Sequence, residues 1–270
     1  MTMAAKSQSS ARVRTKGESA PIRGLLPLAL GLILWQLLGS SSSPYFPPPL
    51  AWIRALEGLA KAGRLWPAIG TTVTHFALAL IINILLGAAL GIVLGRSQTL
   101  NRLLGPLLEF ARTMPAGALV PVAVLIMGYT SSMTLAVVVF TSFWPILLNT
   151  RAGAAGISPD RLDTARALHM SWWATQCKIL LPSVVPSIRL GTQIAAPITL
   201  IIVLLVEILT QVSGVGRQIA LAQSLFRSST VYGLVALTGC FGLAVNWLLG
   251  GLGRLTRKYD PAFSDGTAAG

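Results

Sequence analysis

Few side chains in this sequence can do chemistry, and their spacing excludes most of it. The two histidines, His75 and His169, have no second ligand near them in sequence, and Cys177 and Cys240 stand 63 residues apart with no CxxC pair, so neither a zinc site nor a disulfide framework is supported. There is no Gly-Lys dipeptide, hence no Walker A loop to cradle the phosphates of ATP, and no HExxH or GxSxG. Catalysis by this polypeptide is not supported. The isolated acid Glu207 is the conspicuous group. It closes a run otherwise free of charge from Leu190 onward, and an acid at mid-bilayer costs roughly 2.5–3.5 kcal/mol on insertion scales. It must therefore face a watery path or a partner, unless its distance of about 27 Å from Arg189 along a helix leaves it hydrated at the outer interface.

Two further patterns concern packing and docking. Gly87, Gly91 and Gly95 repeat GxxxG on one helix face, which lets a second helix backbone approach closely. The stretch from Arg151 to Arg189 is basic and too polar to cross a membrane. Within it, Ser158-Pro159-Asp160 is a helix start, predicting a short helix to about Leu168. Ser171 can cap a second one, from Trp172 to Leu180, limited by Pro182. Two helices joined by a bend at His169-Met170 would form a compact knob; an amphipathic hairpin lying on the inner leaflet fits these features equally.

Composition says what must position these groups. Of 270 residues, 53% are hydrophobic and 11% charged, with a mean hydropathy of +0.70. Soluble domains carry about 25% charged residues, and no polar shell can be built from so few. The chain is an all-α integral membrane protein. Uncharged stretches predict six spans, near 24–40, 69–95, 113–127, 133–150, 190–212 and 230–250. The third and fourth come from one long window divided at Met127-Gly128-Tyr129-Thr130-Ser131-Ser132. Pro115 and Pro121 make the third irregular, and Pro197 is expected to interrupt the fifth.

The net charge of +13 points to topology rather than to nucleic acid. With the amino terminus inside, sixteen of the 21 Lys and Arg residues fall on inner segments, leaving Arg54, Lys61, Arg64, Arg217 and Arg227 outside. This arrangement puts both termini in the cytoplasm. The expected units are a basic disordered tail at 1–20, a first span with an external amphipathic segment at 21–68, a core at 69–253 containing the loop 151–189, and a cytoplasmic tail at 254–270. The external segment reads as a helix on the membrane surface or as a solvated connector. The first span with Gly39-Ser40-Ser41-Ser42 also has the pattern of a cleavable signal peptide.

Asp163-Thr164-Ala165-Arg166-Ala167-Leu168-His169, followed by Ile179, Leu181 and Pro182, resembles the EAA motif of the membrane permeases of ATP-binding cassette importers. Phe46-Pro47-Pro48-Pro49, Arg112-Thr113-Met114-Pro115, Met127-Gly128-Tyr129, Pro186 to Gly191, and Glu207 with Gly214-Val215-Gly216 follow in the same order. The series is similar to the nitrate, sulfonate, taurine and bicarbonate branch. The resemblance implies a type I importer permease in the plasma (inner) membrane, with no cofactor. Its partners would be cytoplasmic ATPase subunits, an external substrate-binding protein, a second permease copy and membrane lipid. By position, Asp163, Thr164, Ala165, Leu168, His169, Leu181 and Pro182 would couple to the ATPase, and Glu207, Pro197 and Met114 would line the path. The motif's glycine is His169 here, which meets a penalty at positive φ that glycine escapes. A secondary transporter or channel, built on Glu207 and Pro-broken spans, is the other function these residues allow.

Overall fold

The computed structural model describes residues 22–40 and 45–256, and among these the chain is helical with no strand. In order run α1 (Ile22–Leu38), α2 (Pro49–Lys61), α3 (Leu65–Arg96), α4 (Gln98–Arg112), α5 (Ala116–Met127), α6 (Ser131–Ser142), α7 (Trp144–Ala155), α8 (Pro159–Ala167) and α9 (Trp172–Thr175). A π turn (Gln176–Leu180) then leads into α10 (Leu181–Thr210), followed by α11 (Val215–Ser224) and α12 (Ser228–Thr256). The expected tail at 1–20 and residues 257–270 of the expected second tail lie outside the described residues. The boundary expected at 68 falls inside α3, because that helix begins at Leu65.

Three helical stretches, Leu65–Arg96, Trp172–Thr210 and Ser228–Gly251, are long and apolar enough to cross a membrane. Two bent pairs, α4 with α5 at 93° and α6 with α7 at 41°, make up to five. The apolar part of α1 is shorter, Leu26–Leu38. The span expected at 113–127 is thus not one helix. Its apolar part, α5, has 12 residues, or about 18 Å, and the chain turns sharply before it at Thr113-Met114-Pro115. The division of the long apolar window falls where Gly128 takes φ +66° and Thr130 caps α6, its Oγ1 accepting the Met133 N–H at 3.1 Å.

The fifth span differs most from the expectation. The helix that carries it begins at Trp172, not near residue 190, and runs 39 residues to Thr210 without a break. Pro182 does not stop it: the preceding turn widens, the Leu181 N–H reaching back five residues to the Gln176 carbonyl. That extra residue accommodates a ring that would clash with the carbonyl four residues back in an α turn. Pro197 does not interrupt it either, since a membrane helix can continue past a proline when its surroundings receive the freed carbonyl. The predicted pair of short helices is therefore one short helix, α8, beside the start of a long rod.

The core is α7 wedged between α3 and α10. A Cβ on Gly87 would lie 2.9 Å from the Ile146 side chain, one on Gly91 would lie 2.7 Å from the Thr150 Cβ, and one on Gly95 would lie 2.7 Å from the Ala154 Cβ. From the other side, a Cβ on Gly191 of α10 would stand 2.7 Å from the Ile146 Cα. Missing side chains on both flanks let three backbones touch, which supplies packing where lipid removes the hydrophobic drive for helices to associate. A buried bond from Asn83 Nδ2 to Ser142 Oγ, 2.8 Å, adds a polar tie between α3 and α6.

On the other end, α2 packs its apolar side on α12 and the start of α3, in a cluster that α11 joins. Leu56, Leu59 and Ala60 meet Leu65, Ala68, Val215, Ile219 and Leu234. Trp52 stacks on Tyr232 at 5.5 Å, Trp35 of α1 sits edge-on to both, and the Trp52 Nε1–H donates to the Pro47 carbonyl. The amphipathic segment expected outside is a packed helix whose opposite face carries Arg54, Glu57 and Lys61, all exposed.

Replacing Gly91 by Leu should cost about 1–3 kcal/mol by overpacking, whereas Gly105→Ala, with nothing within 4 Å of its Cβ, should stay within about 0.5 kcal/mol of the parent. Thermal unfolding in detergent measures both.

Candidate functional site

The knob grows from local rules. Pro159 begins α8, with Asp160 in the first turn beside the positive end of the helix dipole. Ser158 occupies the cap position, although its side chain makes no capping bond. Thr164 Oγ1 donates to the Asp160 carbonyl at 2.8 Å, and Asp163 pairs with Arg166 at 2.8 Å, both in water. Ala165 alone of the motif points inward, at 2% exposure.

At the end of α8 the chain turns on a residue of unusual conformation. His169 takes φ +47°. Its N–H donates to the Arg166 carbonyl at 2.9 Å, and the Met170 N–H returns to the Ala165 carbonyl at 3.0 Å. This paired pattern is the Schellman motif, whose left-handed position glycine normally fills. His169 satisfies the helix's last carbonyls at a conformational cost glycine would avoid.

Beyond the turn, Ser171 Oγ accepts the Ala174 N–H at 3.3 Å and the rod begins. α8 is tied to it by Arg161, whose Nη1 donates to Ser183 Oγ at 3.3 Å, while Ala154, Ile157, Leu180 and Val184 close a small apolar cluster where the end of α7 and the residues before α8 meet the rod. Leu168, Trp172 and Trp173 project outward, 68%, 63% and 72% exposed, with the two indoles edge to face at 4.6 Å. Leu181 and Pro182 are also exposed, on the first turn of α10. The two tryptophans were not among the expected site residues; their adjacency to the capping Ser171 was the available signal.

At the other end of the rod, the Glu207 side chain is fully buried. Thr72 Oγ1 of α3 donates to its Oε2 at 2.8 Å and its Oε1 at 3.0 Å. The Gly216 N–H of α11 donates to Oε2 at 2.9 Å, and His75 Nδ1 lies within hydrogen-bond distance of Oε1, at 3.2 Å. The Val215 N–H donates to Thr72 Oγ1 at 2.8 Å. Leaving such buried donors without their acceptor costs about 1–3 kcal/mol each.

Met114 lies at the bend between α4 and α5, 37% exposed. Pro197 sits on an exposed stripe of α10 with Leu190, Ile194 and Ile201. Glu207 is turned away from that stripe, toward α3 and α11, so the structure does not gather the three residues expected to line a path. Among the described residues no three His, Cys, Asp or Glu side chains are grouped to hold a metal.

An exposed short helix thus stands beside the start of a helix long and apolar enough to cross a membrane, and the sequence carrying it matches a known family. Residues 83–258 match the family of binding-protein-dependent transport system inner membrane components. The chain belongs to this family. It is similar to a bicarbonate transport system permease of Synechococcus elongatus, 34% identical over 209 residues that cover 71% of this chain and 74% of the relative. A nitrate import permease of Leptolyngbya laminosa is 28% identical, covering 85% and 86%. A Bacillus subtilis protein described as an aliphatic sulfonates transport permease is 26% identical, covering 82% and 81%. Among solved structures, an amino acid ABC transporter shares the fold with a TM-score of 0.59 at 16% identity, covering 74% of this chain and 97% of its own. The permease is thus a multi-pass inner-membrane transport subunit of an ABC importer, not an enzyme.

In the permease, His169→Gly should slow hydrogen exchange across residues 159–170 by about three- to fivefold, since relief of a left-handed non-glycine residue is worth roughly 1 kcal/mol. His169→Val should speed exchange instead.

Proposed function

We propose that α8 is the docking helix for a cytoplasmic ATPase and that the Trp172–Thr210 rod carries the ATPase's closure into the membrane as a rigid tilt. The observation that supports this is the continuity of the rod. A helix that starts at the exposed knob and ends at Thr210 without a break transmits rotation as a two-state element, where a loop would absorb it. Asp163, Thr164, Leu168 and His169 are the exposed contacts on the knob, with Leu181 and Pro182 beside them. Ala165 holds α8 against the rod from beneath. In this reading the knob and both termini are cytoplasmic, and α2 and α11 lie outside.

The solute is a small anion delivered by an external binding protein. Relatives named for bicarbonate, nitrate and sulfonates support that class. So do Arg54, Lys61, Arg64, Arg217 and Arg227, all exposed on the outer elements, where a positive field raises the local concentration of anions. A second copy of the chain completes the path by covering the apolar stripe of α10 at Leu190, Ile194, Pro197 and Ile201. The exposed Leu125 and Ile126 of α5 lie against that copy or lipid, and Met114 flanks the same path.

Leu168→Asp and Asp163→Arg should each reduce co-purification of the ATPase subunits by about tenfold, the equivalent of roughly 1.4 kcal/mol. Membrane insertion should be unchanged. In proteoliposomes holding permease, ATPase and binding protein, uptake of nitrate, bicarbonate or an alkyl sulfonate should require ATP. Uptake by the permease alone, driven by an ion gradient, would contradict the reading.

A further inference from the structure

Glu207 belongs to a buried cluster that the docking reading leaves unused, and its partners explain what it is for. Three elements meet there. The acid stands one turn from the outer end of α10, Thr72 and His75 lie one turn apart on α3, and Gly214-Val215-Gly216 opens α11. The first amides of α11 have no carbonyl within their own helix to bond, and Gly214 brings no side chain to cap them. Glu207 serves instead, accepting the Gly216 N–H directly, while the Thr72 hydroxyl accepts the Val215 N–H and donates a hydrogen bond to the same carboxyl group. A negative group at that position is also matched to the positive end of the α11 dipole.

The chain around the acid is shaped for it. Gly214 takes φ +152°, a conformation that side chains other than glycine rarely adopt. A Cβ on Gly214 would collide with the Glu207 carboxyl group, and one on Gly216 would meet the Glu207 Cβ. The carboxyl group therefore fits only against bare backbone.

We propose that Glu207 is a positioning residue that clamps α11 to the end of the Trp172–Thr210 rod, so that α11 and the knob are the two ends of one rigid body. When the knob is displaced, α11 moves with it, and with α11 go the exposed residues that follow it, Leu225 and Phe226. The motion itself rests on the docking function proposed above; the clamp does not.

The test uses the full-length permease with Cys177→Ser and Cys240→Ser, carrying Ile219→Cys as a reporter, assembled with its ATPase subunits. Ile219 lies on the buried face of α11, 7% exposed. A water-soluble maleimide should label it slowly in the parent and at least about tenfold faster when Glu207→Gln, Thr72→Val or Gly216→Ala opens the clamp. Thr72→Ser, which keeps the hydroxyl, should restore slow labelling. ATP-driven uptake should fall in the three opened variants and recover in the serine variant. If Glu207→Gln does not accumulate, the Thr72→Val and Thr72→Ser pair reads the same question. The proposal is overturned if labelling stays slow in the opened variants, whether or not uptake falls. A loss of uptake with α11 still protected would place Glu207 on the solute path. If the parent instead fails to retain ATPase subunits while labelling still follows the clamp, the docking function fails and the clamp stands.

Discussion

Helices in hydrocarbon gain little by hiding apolar surface from one another, so this molecule depends on how closely three backbones can approach. Gly87, Gly91 and Gly95 on α3 and Gly191 on α10 leave space on either side of α7, and Ile146, Thr150 and Ala154 fill it. Every functional element hangs from that sandwich. The α10 rod is seated against α7, the knob continues from the last turn of α7 through Gly156 and Ile157, and α3 presents Thr72 and His75 to the far end of the rod.

The second constraint is continuity. A 39-residue helix spans about 58 Å, longer than the roughly 30 Å hydrocarbon core, so it necessarily protrudes. One end carries the exposed Trp172 and Trp173, and near the other Glu207 accepts the Gly216 N–H of α11. Proline usually ends such a helix. Here the π turn before Pro182 and the tolerant setting of Pro186 and Pro197 within a packed membrane helix preserve it.

Much of the fold was legible in the sequence because it follows from local chemistry. Hydropathy windows located the apolar segments, and Gly128 with Thr130 marked the turn that divides the longest one. The small residues of α3 announced a close contact but could not name α7 as the contact. The rod was misread for a definite reason. Pro182 and Pro197 are local stop signals, and what overrides them is a widened turn and tertiary surroundings that no spacing rule encodes. Glu207 was conspicuous in the sequence, yet its burial was not, since Thr72 and His75 come from a helix far earlier in the chain. The departure at His169 was visible as a residue type where glycine was expected; that it still adopts positive φ required the structure.

The account turns on where the knob lies relative to the bilayer. Cys177, exposed in the π turn of the rod, is a native reporter once Cys240 is replaced by Ser. With a membrane-impermeant thiol reagent, Cys177 should react in inverted membrane vesicles and stay silent in intact cells, and bound ATPase subunits should slow the reaction. Labelling of Cys177 from outside intact cells would contradict the account.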